Sequence, residues 1–174
     1  MTKIYRYIDL PIALIYSNDL NILLVSDGDF LTGLYFVGQK HMPILDSSYH
    51  EQQNCSIFDQ TYQELTEYIN GTRKEFTVPY RFTGTNFQEK VWSTISAIPY
   101  ARVMSYKDIA NLIFAPKSVR VVANTVARNT LSVIVPCHRV IGTDGRLTGY
   151  AGGLELKKKL LELEEGYKDM YIIL

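Results

Sequence analysis

Ser105-Tyr-Lys-Asp-Ile-Ala-Asn-Leu-Ile-Phe-Ala-Pro-Lys-Ser-Val-Arg-Val-Val-Ala-Asn-Thr-Val-Ala-Arg128 reads as two short helices around a tight turn. Ser105 and Asp108 stand three apart, the spacing at which a serine hydroxyl caps the third amide of a helix and an acid reaches back to the cap. The helix they open runs through Ile109, Leu112 and Ile113, and Phe114-Ala-Pro-Lys117 makes the turn. Ser118 to Arg128 forms the second helix, with Val119, Val122, Ala123 and Val126 on one side at helical spacing. Arg120, Asn124 and Arg128 repeat every four residues on the other side, with Lys117 just before them. This is a helix-turn-helix pattern. Its basic side is either an ordinary solvated face or the recognition surface of a nucleic-acid binder.

Working outward, Phe87 to Ile98 carries Phe87, Val91, Ile95 and Ile98 on one stripe and stops before Pro99. Thr83-Gly-Thr-Asn86 looks like a hinge. Ahead of it, Leu20 to Val25 and Leu31 to Val37 are β-prone runs around Asp27-Gly-Asp29, a hairpin signature. Gly38 to Cys55 has no period and reads as loop. Ile57 to Asn70 has helical spacing through Phe58, Tyr62, Leu65 and Ile69, with Gly71 as C-cap, and Glu75 to Phe82 is extended. The expectation is an α+β chain in two parts, residues 1–82 and 83–174.

With 47% hydrophobic and 21% charged residues in 174, the chain is neither disordered nor a coiled coil, and it holds no run long enough to span a membrane. The net charge of zero hides an asymmetry. Residues 1–84 hold 6 Lys and Arg against 10 Asp and Glu, whereas residues 85–174 hold 12 against 8. A polyanionic partner would meet the second half. Two cysteines, Cys55 and Cys137, are too few for a disulfide framework, and with no secretion signal in Met1-Thr-Lys-Ile-Tyr-Arg6 an intracellular home is expected. His41, His50 and Cys55 share a loop, but their spacing fits no tight metal template, so no metal is expected.

Ser132-Val-Ile-Val-Pro-Cys-His-Arg-Val-Ile141 carries the chemistry. It reads as a buried β-type run that ends at Pro136, with Cys137 next. A cysteine after an apolar strand is either inert core or a nucleophile. His138 and Arg139 beside it favour a thiolate, since a free thiol with a pKa of about 8.5 ionises only slightly at neutral pH. Side chains of consecutive extended residues point apart, so a Cys137–His138 relay would run through a water. A helix from Leu154 to Glu165 should bury Leu156, Leu160 and Leu163. Glu164 then falls on the margin of that stripe while Glu162 and Glu165 face away. Glu164 either orients His138 or serves as an ordinary cap.

Pro136-Cys-His-Arg-Val140 resembles the active-site signature of the O6-alkylguanine-DNA alkyltransferases, the methylated-DNA–protein-cysteine methyltransferases. Gly84-Thr-Asn-Phe-Gln-Glu-Lys-Val-Trp92, Ile98-Pro99, Ser105-Tyr106, Arg120, Asn129, Tyr150-Ala-Gly-Gly153 and Leu160-Leu-Glu-Leu-Glu164 fall in family order and near family spacing. The first 70 residues match in outline. The resemblance implies a small N-terminal ribonuclease H-like α/β domain and a C-terminal winged-helix-like helix-turn-helix domain. It implies repair of double-stranded DNA, in which a base flipped from the minor groove gives its alkyl group permanently to a cysteine. O6-alkylguanine is the substrate, and O4-alkylthymine with it. No cofactor is needed because the protein is the acceptor. A monomer is expected, cytoplasmic in a prokaryote or nuclear in a eukaryote.

Carried over by position, the resemblance makes Cys137 the attacking thiolate and His138, through water and held by Glu164, the acceptor of its proton. Tyr106 becomes the donor to guanine N3. The Tyr150 ring packs on the base, the Ala151 amide meets O6, and Gly152 belongs to the same substrate-binding segment. The carbonyls of Cys137 and Val140 accept from the guanine amino group, and Asn129 ties the backbone around the cysteine. Arg120 matches the arginine that fills the gap left by the flipped base, with Ser105, Lys117, Val121, Asn124 and Arg128 also on the DNA side. The chain departs from the family where Val121 and Asn124 replace Gly or Ala, where Thr130 rather than Pro follows Asn129, and where Ala151 replaces Ser. Two other readings stay open: a lesion binder without transfer, and a cysteine hydrolase with many turnovers.

Overall fold

The computed structural model describes residues 3–10 and 20–164. Its contacts gather into two units, Met1–Thr83 with Thr130–Ser132, and Gly84–Asn129 with Val133–Leu174.

The first unit is built on a four-stranded sheet of order β3-β2-β1-β4, where β1 is Lys3–Leu10, β2 Leu20–Ser26, β3 Leu31–Phe36 and β4 Tyr49–Glu51. β2 pairs antiparallel with both neighbours, and β4 joins β1 in parallel. The expected hairpin closes through Asp27, whose carboxylate accepts from the Phe30 amide at 2.9 Å, while Gly28 takes φ 106. Leu23 and Val25 pack with Tyr35, and Ile22 and Leu24 are buried on the opposite face. A strand covered on both sides reads as one apolar run.

Two strands were not evident in the sequence. β1 hides because Arg6 sits on the face that α1 (Ser56–Ile69) covers, where it donates to Asp59 Oδ1 at 2.8 Å. β4 lies inside the segment expected to be loop and has only three residues, too few to show a period. In α1, Ile57, Phe58, Leu65 and Ile69 are buried, but Tyr62 is exposed and Thr61 takes its place. Buried Glu64 accepts from the amides of Thr77 and Val78 at 2.8 and 3.2 Å, fixing the extended segment that follows. That segment joins the sheet edge, with the Leu31 amide donating to the Pro79 carbonyl at 2.9 Å.

The second unit packs α2 (Asn86–Ser96), α3 (Tyr106–Leu112) and α4 (Val119–Ala127) against one another. Capping boxes open α2 at Thr85/Gln88 and α3 at Ser105/Asp108. Gly84 is required as glycine, since a Cβ there would stand 2.5 Å from the Trp92 ring. α4 buries Val122, Thr125 and Val126, whereas Val119 and Ala123 are only half-buried, a narrower stripe than expected. Between α3 and α4, Phe114 has φ 60, a left-handed conformation that costs an L-residue about 1–2 kcal/mol. β5 (Met104–Ser105) pairs in parallel with β6 (Val140–Ile141). α5 (Leu154–Leu163) buries Leu156, Lys157, Leu160 and Leu161. Leu163, expected in that core, is half-buried, because Leu161 faces Ile141 and Leu147 instead. Among the described residues no helix is long and apolar enough to cross a membrane.

Candidate active site

The segment before Cys137 is buried throughout, but it is not a strand: Ser132 to Ile134 turn, and Cys137–Arg139 is a single 3-10 turn. β-branched residues in a row suggest a strand, yet here they fill a core from an irregular backbone. Val133 has φ 69, a conformation that costs a β-branched residue on the order of 1–3 kcal/mol. The extended backbone expected at Cys137 is therefore replaced by a tight turn held by Cys137 N–H donating to the Val135 carbonyl and Arg139 N–H to the Pro136 carbonyl.

Cys137 is 4% exposed. Asn129 Nδ2 donates to the Val135 carbonyl at 2.8 Å and lies 3.1 Å from Cys137 Sγ, so one amide holds both the turn and the sulfur. His138 is fully buried, and its Nε2 lies 2.8 Å from Glu164 Oε1. Arg139 grips the same carboxylate, with Nε 3.0 Å from Oε2 and Nη2 2.8 Å from Oε1, while Nη1 donates to the Ile98 carbonyl at 2.6 Å. The Ala101 amide donates to Glu164 Oε2 at 3.2 Å. Glu164 thus closes the end of α5 onto the turn. Glu162 is exposed, and Glu165 lies outside the described residues.

Burial pushes the Cys137 thiol above its usual range, against the pull of the Asn129 hydrogen bond and the Lys157 charge. Burial thus works against the thiolate that the neighbours in sequence favour, and Asn129 and Lys157 work for it. Burial lowers the His138 pKa, which the hydrogen bond and charge of Glu164 only partly offset, so the imidazole is neutral. A neutral ring facing a carboxylate carries its proton on Nε2, which leaves the Nδ1 lone pair to receive a proton. Burial opposes ionisation of Glu164, but the hydrogen bond and charge of His138, then those of Arg139, outweigh it and hold the carboxyl at about 2. A neutral base oriented by a permanent anion can take the proton a buried thiol must lose.

Tyr106, at the first position of α3, donates to the Thr148 and Gly149 carbonyls at 3.1 and 3.3 Å. Tyr150 is buried, and its hydroxyl has no hydrogen-bond partner among the described residues. Val140 is buried, and Ala151 and Gly152 are half-buried. On α4 and its flanks, Lys117, Arg120, Asn124 and Arg128 are exposed, and Val121 is 53% exposed beside them. Ser105 Oγ is committed to Asp108 at 2.6 Å.

Lys157 was not singled out by the sequence. Its ammonium group, fully buried, donates to the Val140 and Thr148 carbonyls and sits 6.0 Å from the Tyr106 ring centre. Burial lowers its pKa to about 8, against the attraction of Cys137. In a Lys157-Lys-Lys159 run it looks like solvated surface. The available signal was its place on α5, three residues after Leu154 and four before Leu161.

Two family models match the chain: 6-O-methylguanine DNA methyltransferase, ribonuclease-like domain, over residues 10–82, and 6-O-methylguanine DNA methyltransferase, DNA binding domain, over residues 86–166. The inducible methylated-DNA–protein-cysteine methyltransferase of Bacillus subtilis is 40% identical, with 88% of this chain and 89% of the relative covered. The methylated-DNA–protein-cysteine methyltransferase of Mycobacterium tuberculosis is 39% identical, with 92% of each covered. The crystal structure of Mycobacterium tuberculosis OGT in complex with DNA superposes with a TM-score of 0.82 at 37% identity, covering 93% of this chain and 92% of that one. Fold and matches together define an α+β protein that joins a ribonuclease-like domain to a DNA-binding domain. The chain belongs to the 6-O-methylguanine DNA methyltransferase family.

Proposed function

We propose that this protein repairs DNA by moving the alkyl group of O6-alkylguanine, and of O4-alkylthymine, onto Cys137 in one irreversible step. The observation that carries this reading is the buried set in which Asn129 lies 3.1 Å from the Cys137 sulfur and the next residue, His138, lies 2.8 Å from Glu164. The thiol proton passes through a bridging water to His138. Sulfur then attacks the alkyl carbon in line, the carbon–oxygen bond breaks, and its electron pair stays with the base. Tyr106 donates a proton at N3 to neutralise the departing guanine. Its hydroxyl already binds the two carbonyls ahead of Tyr150, whose ring receives the flipped base. The Val140 carbonyl, bound by Lys157, keeps a second lone pair for the guanine amino group. The Ala151 amide meets O6, beside Gly152.

On the DNA side, Arg120 fills the space of the extruded base, and Lys117, Val121, Asn124, Arg128 and the Ser105 region contact the duplex. Flipping costs a few kcal/mol, less for a badly paired damaged base, so the lesion assists its own selection. The protein works as a monomer, needs no cofactor, and acts inside the cell, where its DNA substrate is.

Mass spectrometry after incubation with O6-methylguanine duplex tests this. Methyl replacing hydrogen should add about 14 Da to the Cys137 peptide, roughly once per chain. Cys137→Ser should bind the lesion and gain nothing. Transfer retained by that variant overturns the nucleophile, continued turnover of an ester or amide favours a hydrolase, and binding without any mass gain leaves a lesion binder.

A further inference from the structure

The turn between α3 and α4 carries an aromatic ring that neither the fold nor the alkyl-transfer site uses. α3 ends with the Phe114 amide donating to the Asn111 carbonyl at 3.0 Å and the Ala115 amide to the Ala110 carbonyl at 2.8 Å. That pair of bonds is a Schellman motif, and it puts Phe114 at the left-handed position where glycine or asparagine normally stands. Phe114 is also 90% exposed, more than any other large apolar residue among those described. Glycine would serve the backbone better, and the ring packs into no core. Its presence calls for something outside the protein.

The surroundings restrict what that is. Lys90 on α2 places its ammonium 5.8 Å from the ring centre, Lys117 is exposed three residues on, and Leu112 is 55% exposed. An apolar ring flanked by cations suits a partner that alternates apolar and anionic surface over a few ångströms. The sugar–phosphate backbone of a duplex does this, with deoxyribose faces between phosphates.

We propose that Phe114 is a DNA-contact residue, its ring laid against deoxyribose of the bound duplex with Lys90 and Lys117 on the flanking phosphates. The inference rests on the DNA-repair reading and extends its footprint beyond α4. Such a contact adds affinity without reading sequence.

The full-length Phe114→Gly variant separates the two roles. Its melting temperature should rise by roughly 2–4 °C, because glycine accepts the left-handed turn. Its affinity for duplex DNA should fall roughly tenfold with the salt dependence unchanged, since no charge is removed. Lys117→Ala should instead reduce the slope of log affinity against log salt by about one. Unchanged duplex affinity in Phe114→Gly would overturn the proposal. So would self-association of the unmodified chain that this variant abolishes, which would make the ring a contact between copies. If the unmodified chain binds duplex but transfers no methyl group, the repair reading fails while the Phe114 measurement still decides its own question.

Discussion

Asn129 Nδ2 stands 3.1 Å from Cys137 Sγ while the same nitrogen donates to the Val135 carbonyl at 2.8 Å. An amide nitrogen has two hydrogens, and this one commits one to the turn and the other to the sulfur. A hydrogen bond to a charged acceptor is worth about 1.5–3 kcal/mol, so the sulfur-directed bond gains strength as the thiolate forms. Asn129→Ala should slow transfer to free O6-benzylguanine by roughly tenfold or more and shift its pH–rate profile upward. A profile that stays in place would remove Asn129 from control of the thiol.

The carboxylate of Glu164 links acid stability to this centre. Its pKa is about 2 in the folded protein against the ordinary 4.5 of a glutamate, so the unfolded chain binds the extra proton first. Its contribution is complete above pH 4.5 and drains away as pH falls through that value toward 2. Glu164→Gln strands Arg139 in the core and should cost about 3–5 kcal/mol at neutral pH. Circular dichroism during acid titration should show a transition in that window which the variant lacks. An identical acid midpoint in both proteins would contradict the assignment.

Lys157→Met keeps an unbranched side chain, one atom shorter, and removes its charge. With no ammonium near Cys137 the thiolate loses electrostatic support, and the Val140 and Thr148 carbonyls lose a shared donor. Transfer at neutral pH should drop about tenfold, with its rise displaced to higher pH. In the unmodified protein, Lys157 discharges as pH passes about 8, so the gain in rate on going alkaline should level off there. A rate that keeps climbing in parallel with the variant would show that the lysine only braces the fold.

Arg120 is exposed on α4 and belongs to no described ion pair. Arg120→Ala should slow repair of duplex substrate far more than reaction with free O6-benzylguanine, because only the duplex must surrender a stacked base. Comparing the two single-turnover rates checks it; equal slowing would mean the arginine has no part in extrusion.

Much of this site was legible from residues alone, because its local signals are strong. The Ser105–Asp108 box starts α3 where the spacing says, and Val122 and Val126 turn inward as their period requires. Glu164 stood out as an acid on the edge of an apolar stripe. What escaped depends on long-range packing. Lys157 looks like solvated surface until α5 is docked on the Cys137 turn, and the partners of Arg139 lie 25 and 41 residues away. The run before Cys137 misled for the opposite reason: its composition fits a strand, but its course is set by a left-handed residue that no pattern of β-branched side chains announces.

Val133 is that residue, four positions ahead of the sulfur, and it carries its awkward backbone inside a fully packed core. Glycine there would relax the chain but empty the space of a buried isopropyl group, a loss that outweighs the strain relieved. It would also free the bend that aims the thiol. Packing and aim therefore hold the same awkward residue in place, and a hardened variant is better sought elsewhere in the molecule.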